Sequence, residues 1–412
     1  MSQGYVIAGL DIGTTKICAV IAEVAPDSPP EVIGVGTSPC LGLKKGVVVD
    51  LAATTEAIRS AVEKAQRMAG EEVRSFAVGV TGEHIACLNS RSVIAITHQN
   101  REITGSDVDR LIDTAKVIVI PPDREIIHAI PRWYSVDGQD GIRAPVGMHG
   151  NRLEVETHIV TGMSSFIQNV VKCVHQAGYS VEATVLEPIA TAECVLTPAE
   201  TDLGVVLVDI GGGTSDVAIF VGGSIYYSGV VPVGGSHVTR DIAIGLRTSI
   251  EEAERLKVSF GSALSGYEGQ DEPFEFTSLG NSRPRQLPRK VLAEIIEPRI
   301  VELLQMVREH VDKAGCADRV PAGIVFAGGG SLLAGLPELA EQVLGMGSRI
   351  GSPTGVTGLV ESVSSPACAT AVGLVRFWAR HEEQHFHDAD DEAVLPRVLR
   401  RFRELFARFG GD

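Results

Sequence analysis

Apolar residues fall in short runs broken by glycine-bearing turns, and one such pattern occurs twice. At 5–24 the strand-like run YVIAGLD leads through IGTT into KICAVIAEV. At 207–223 the segment LVDIGGGTSDVAIFVGG repeats the order of apolar strand, Asp, Gly turn and apolar strand. Asp11 and Asp209 hold the same place in each copy. Alternation and unbroken apolar runs of this length predict β-strands, and the short glycine turns predict hairpins. Two matching hairpins predict two similar domains facing each other across a cleft.

Between and beyond them the period changes to that of helices. Residues 51–69 place Ile58, Val62 and Ala65 on one face and end at Gly70. Residues 84–161 read as a compact inserted α/β subdomain, with β runs around a helix expected from Ser106, capped by Ser106 with Asp109 three residues on. Helices follow at 164–177 and after Glu187–Pro188, then as one long stretch over 236–259. Another is expected at 289–314, with Pro298 marking a kink or junction. GIVFAGGG predicts a strand running into SLLAGLPELAEQVL as helix, and an apolar helix closes the folded body near residue 381. An acidic segment, 382–394, is expected as a flexible linker. In the last stretch Leu395, Val398, Leu399, Phe402, Leu405, Phe406 and Phe409 form one apolar stripe, with Arg397, Arg400, Arg401, Arg403 and Arg408 beside it.

Composition narrows the functional classes. The 36 Lys and Arg against 52 Asp and Glu give a net charge of −16, which repels nucleic acid. The seven cysteines are scattered and form no CxxC pair, which argues against a disulfide framework or structural zinc and for a reducing compartment. No window offers the unbroken apolar span of about 20 residues that a transmembrane helix needs, and the first residues lack the pattern of a signal peptide.

The hairpins carry the chemistry. Gly13, Gly211, Gly212 and Gly213 let backbone N–H groups approach an anion, and Thr14, Thr15, Thr214 and Ser215 add hydroxyl donors. Lys16 supplies positive charge to terminal phosphates, and Asp11 with Asp209 can hold hydrated Mg²⁺. Gly328, Gly329 and Gly330 lie between a strand-like run and a predicted helix, a setting for close approach by a planar or phosphorylated ligand. GxxxxGK[ST] is missing and the glycines sit in hairpins, which disfavours P-loop and dinucleotide-binding folds.

DIGTTK, DIGGGTSD and FAGGGSLLAGL resemble the phosphate 1, phosphate 2 and adenosine motifs of the actin, Hsp70 and sugar-kinase superfamily. GLKKGVVVD at 42–50, LEPIATA at 186–192, VPVGGSHVTRDIAIGLRTSIEEAERLK at 231–257, LAEIIEPR at 292–299 and the closing amphipathic segment extend the likeness over 5–409, which resembles the FtsA family of bacterial cell-division proteins. The resemblance implies an actin-like (ribonuclease H-like) α/β fold of two domains. Domain 1 would comprise 1–83 and 162–203, interrupted by the insert 84–161, and domain 2 would span 204–381. It implies ATP and Mg²⁺ as ligands, Glu254 and Lys257 facing the adenosine, and Glu187 positioning a water for slow hydrolysis. By themselves Glu254 and Lys257 also read as a surface ion pair, and Glu187 as a carboxylate complementing a helix dipole.

The same resemblance implies a polymer of this chain at the cytoplasmic face of the bacterial inner membrane at the division site, together with other cell-division proteins. The tail 395–409, Arg401 included, would bind anionic lipids. The C-terminal peptide of FtsZ would dock on the subdomain near 236–315, with Arg285, Arg289 and Lys290 as candidates and a solvated patch as the alternative. Competing readings are a pilus-associated adaptor of the same fold, a small-molecule kinase using the same cleft, and a chaperone ATPase. The basic tail disfavours the kinase, and the absence of a peptide-binding domain after the cleft disfavours the chaperone.

Overall fold

The computed structural model describes residues 4–266, 271–280 and 283–390. In chain order the first domain lays down β1 (Tyr5–Ile12), β2 (Lys16–Val24), β3 (Glu31–Pro39), the short ladder β4 (Leu43–Lys44) and β5 (Val47–Val48), α1 (Leu51–Ala69) and β6 (Ser75–Val80). An insert follows with β7 (Ala86–Ala95), α2 (Gly105–Ala115), β8 (Arg124–Val136), β9 (Gln139–Ile142) and β10 (Arg152–Met163). The first domain resumes with α3 (Ser164–Gln176), β11 (Ser180–Leu186), α4 (Glu187–Val195) and α5 (Pro198–Leu203).

The second domain comprises β12 (Val205–Ile210), β13 (Ser215–Val221), β14 (Ser224–Val231), α6 (Gly235–Leu246), α7 (Ile250–Phe260), β15 (Pro273–Phe276), β16 (Arg285–Pro288), α8 (Arg289–Ala314), β17 (Ile324–Ala327), α9 (Leu336–Leu344) and β18 (Ser348–Ile350). The chain then adds β19 (Thr357–Gly358), α10 (Val360–Val363) and α11 (Ala369–Asp390).

The duplication read in the hairpins extends to whole sheets. One sheet runs β11-β6-β1-β2-β3-β19 and the other β18-β17-β12-β13-β14. In both, the first two strands form an antiparallel hairpin, the third pairs antiparallel with the second, and two later strands add in parallel beside the first. Parallel additions need crossovers, which the helices supply, so both faces of each sheet are covered and the central strands β1, β2, β12 and β13 are largely buried. Strand β1, for instance, is buried from Ile7 to Ile12.

The helices α4 and α11 pack against each other and belong to one core that takes side chains from both sheets, including Ile7, Val20, Leu207 and Ala218. Their approach is close: a Cβ on Gly373 of α11 would collide with the carbonyl of Ala190 in α4. The insert forms its own sheet, β7-β10-β8-β9, with a small core around Leu111, Leu153 and Val155.

Helix ends show where local pattern was overruled. Helix α1 occupies the expected 51–69, started by Asp50, whose side chain accepts from the Ala53 amide at 2.9 Å, and stopped by left-handed Gly70. The cap of α2 is Thr104 rather than Ser106, because Thr104 and Asp107 satisfy each other's amides in a reciprocal box. The stretch 236–259 is two helices, since Arg247 adopts a left-handed conformation and Ser249 caps a new start. Pro298 neither breaks nor ends α8, which runs on through it for 26 residues. Helix α11 continues to Asp390, so residues 382–390, expected as linker, are helical. The segment 395–409 lies outside the described residues, and no helix among the described residues is long and apolar enough to cross a membrane.

Candidate nucleotide-binding cleft

Each hairpin turn is closed by the same bond: the Gly13 amide donates to Lys16 O, and the Gly211 amide donates to Thr214 O, both at 3.0 Å. The two turns touch. A Cβ on Gly212 would lie 2.6 Å from Thr15 Oγ1, and one on Gly213 would lie 2.8 Å from Thr14 Oγ1. A glycine is therefore required where the second turn abuts the first. The carbonyls of Gly211 and Gly212 are taken by the amides of Gly235 and Ser236 at the start of α6, at 2.9 and 2.8 Å. The second turn is thus pinned by the helix behind it.

At the base of the turns the ladder positions the acids. Asp11 lies opposite Cys18 across β1 and β2, and Asp209 lies opposite Asp216 across β12 and β13. Asp11, Asp209, Asp216 and Glu187 are all buried, and the charges of the three aspartates all bear on Glu187. Burial, with the neighbouring aspartates, pushes the carboxyls of Asp11 and Asp216 up to about 7. Burial also raises Asp209, although two hydroxyls hold its Oδ2, Thr191 at 2.8 Å from α4 and Thr370 at 3.1 Å from α11. Glu187 is raised well above the usual carboxylate range by burial and by the three aspartates. Its Oε1 finds no hydrogen-bond partner in the protein. Beside it lies a small cavity lined by Gly46, Gly79, Thr81, His84 and Glu187. Glu187 does sit in the first turn of α4, as a dipole-complementing carboxylate would, but such a role leaves a carboxylate in water, not buried and unpaired.

Lys16 lowers both Asp11 and Asp209 electrostatically, and its amine donates to Ala367 O at 2.5 Å. That carbonyl belongs to the turn entering α11, whose Pro366 O in turn accepts from the Gly328 amide at 3.2 Å. The first hairpin turn and the 328–330 loop are therefore joined through one short segment. Gly328 has φ +77°, and a Cβ there would strike Asp209 Oδ1, so no other residue fits. The helix expected directly after these glycines is instead a single 3₁₀ turn over Gly329–Leu332, and α9 begins only at Leu336, after left-handed Gly335.

Glu254 and Lys257 do pair, at 2.7 Å, and they serve a structural contact as well. Lys257 Nζ also reaches Thr239 Oγ1 at 2.9 Å and Gly235 O at 3.2 Å, and Thr239 donates to Glu254. This ties α7 to the start of α6, where the second turn is anchored. Farther out, Arg285 lies over the Phe276 ring and Arg289 over Phe260, with Arg289 also paired to Glu272 at 3.0 Å. Lys290 is exposed at the start of α8.

Sequence reasoning missed Asp216, Thr191, Thr370 and Thr81. Asp216 stood inside the quoted DIGGGTSD, and Thr81 Oγ1 donates to it across the domain boundary. The threonines carried a signal that went unread: Ala190-Thr191-Ala192 and Ala369-Thr370-Ala371 repeat one tripeptide in the two helices that clasp Asp209.

Comparison with known proteins places this cleft in context. The family description "Cell division protein FtsA" matches residues 206–373, and "SHS2 domain inserted in FTSA" matches residues 82–161. Cell division protein FtsA of Pseudomonas aeruginosa is 44% identical over 377 residues, covering 92% of this chain and 90% of that protein. The Escherichia coli K12 protein of that name is 38% identical over 378 residues, 90% of each chain. That of Bacillus subtilis 168 is 38% identical over 381 residues, 92% of this chain and 85% of the other. Among solved structures, a chain of the PilM-PilN type IV pilus biogenesis complex aligns with a TM-score of 0.65 at 18% identity, over 90% of this chain and 98% of that one. MreB5 of Spiroplasma citri bound to ADP aligns at 0.54 and 14% identity, over 93% and 98%. At such identities these likenesses speak to the fold alone, which is actin-like.

Proposed function

The chain belongs to the FtsA family of cell-division proteins, and we propose that it is an ATP-binding adaptor that polymerises on the cytoplasmic membrane and tethers FtsZ filaments there. The observation that carries the nucleotide part is the meeting of the two glycine turns, Thr15 against Gly212, above one buried acidic cluster. The MreB5 structures with ADP and AMPPNP, which share the fold, are in keeping with a nucleotide as ligand.

The residues present fit that ligand. Four acids at least partly unneutralised in a buried site, and a Glu187 oxygen without a partner, make a site that stabilises cations and ordered water. With the Gly13 and Gly211 amides spent in closing their turns, the remaining amides and hydroxyls of Thr14–Thr15 and Gly212–Thr214 hold phosphate oxygens, and Lys16 exchanges the Ala367 carbonyl for phosphate. Glu254 and Lys257 face the adenosine with Gly328–Gly330. Asp11 and Asp209, at matching positions beneath the two turns, would hold a hydrated Mg²⁺, an ion that takes oxygen ligands and keeps several waters. When bound, Mg²⁺ neutralises phosphate charge and orients the chain of oxygens for attack. Glu187 positions the attacking water. Turnover is slow because burial, together with the field of the three aspartates, holds the Glu187 carboxyl well above the usual carboxylate range, which weakens it as an acceptor until positive charge enters the cluster.

The tail 395–409 provides reversible attachment to anionic lipid, and the α6–α8 region, with Arg285, Arg289 and Lys290, receives the acidic FtsZ peptide. The pilus-adaptor reading rests on fold likeness at 18% identity, against 38–44% identity to cell-division proteins, and is set aside. Co-sedimentation with anionic liposomes tests the proposal. ATP with Mg²⁺ is expected to increase pelleting and to carry an FtsZ C-terminal peptide into the pellet; pelleting indifferent to nucleotide and peptide would overturn it.

A further inference from the structure

The tip of the β4–β5 ladder is wedged where the two phosphate turns meet. The Gly46 amide donates to Thr14 Oγ1 at 3.3 Å, and the Lys45 amide nitrogen lies 3.1 Å from where a Cβ on Gly213 would sit. Lys45 holds φ +52° to make this bend, a conformation uncommon for a lysine and retained where surrounding contacts enforce it. The other side of the tip rests on Thr81–Gly82, with Gly46 so close that a Cβ would lie 2.8 Å from Gly82 Cα. Lys45 Nζ reaches past Gly82 to Glu83 Oε1 at 2.7 Å. Glu83 lies at the root of the insert, one position before His84 and three before β7.

We propose that Lys45 senses the terminal phosphate of the bound nucleotide, exchanging Glu83 for that phosphate and so signalling nucleotide state to the root of the insert. The inference rests on the cleft reading above. Both side chains of the pair are substantially exposed, 40% and 48%, and a pair of that kind is weak and easily exchanged. A terminal phosphate held between Thr14 and Gly213 would offer Lys45 a doubly charged acceptor in a more enclosed setting, where charge-assisted bonds are stronger. ADP offers no such group, so Glu83 keeps the lysine and the insert root stays latched. The neighbouring threonine strengthens the link, because Thr81 donates to Asp216 of the opposite domain.

Calorimetry with Mg-ADP and Mg-ATP separates the possibilities. Lys45→Asn, chosen because Asn tolerates the left-handed backbone, is expected to weaken ATP about tenfold and to leave ADP within about twofold. Lys45→Arg should restore most of the ATP preference. Glu83→Gln should strengthen ATP binding in the wild-type background and do nothing in Lys45→Asn. Amide exchange at residues 82–86 should be faster with ATP than with ADP, and the difference should vanish in Lys45→Asn. Equal losses for both nucleotides, or none, with wild type binding both, would overturn this inference and leave the cleft intact. Wild type that bound neither nucleotide would overturn the cleft reading and this inference together.

Discussion

Thr15 of the first hairpin turn stands directly against Gly212 of the second, at a distance that excludes even one added carbon. The two domains therefore meet at these turns with the Thr14 and Thr15 side chains of one packed against the bare glycine backbone of the other. Gly212→Ala should wedge these turns apart, costing about 1–3 kcal/mol in stability, as overpacking does. Nucleotide affinity should fall at least about tenfold. Thermal melts and calorimetry on the same preparation check both.

The acidic cluster makes a signed prediction about pH. The carboxyls of Asp11 and Asp216, buried and raised to about 7 from 3.8, bind more protons folded than unfolded. Their contribution to stability is full below the unfolded value and is lost as pH rises through about 7. Buried His128 and His158, lowered to about 4 from 6.5, act oppositely but only below 6.5. Between about pH 6.5 and about pH 8 the nucleotide-free protein should thus lose stability, and Asp216→Asn should flatten that slope. Binding of Mg-ATP in the same range should release protons, measurable by calorimetry in buffers of differing ionisation heat.

On the proposed function Glu187 positions the attacking water, and Glu187→Gln removes that acceptor while leaving the shape of the site. Phosphate release should fall by about 100-fold, with ATP affinity retained. Without nucleotide the variant should be more stable than wild type at about pH 8, because Gln enters the buried cluster neutral without the proton that Glu187 must take up there on folding. Parallel measurements of phosphate release and melting temperature distinguish this from a purely structural carboxylate, for which hydrolysis would not change.

The tail supplies a fourth test. Phe402→Asp with Phe406→Asp puts two charges into the apolar stripe, each of whose fully buried side chains is worth roughly 1.5–3 kcal/mol at a lipid surface. Liposome pelleting should be abolished while ATP affinity stays unchanged. Pelleting that persists would assign membrane attachment elsewhere.

What the sequence determined by itself was local. Alternating apolar runs around IGTT and IGGGT specified the first hairpin to within a residue and the second to within two, and the Asp in each was legible because a short turn fixes its neighbours' positions. Helix α1 was equally plain from its period and its Gly70 stop, although its Asp50 cap went unread. The break at Arg247 was not, because a left-handed arginine is favoured only by the packing that holds it. Nor were the partners of Asp209: Thr191 and Thr370 lie 179 positions apart and meet only when α4 and α11 pack together. Lys45 and Glu83 became a pair through the docking of a ladder tip onto the strand before the insert. Turn and helix preferences act over a few residues, so a chain displays them openly. Which buried groups share one electric field depends on surfaces closing over each other, and that information exists only in the folded arrangement.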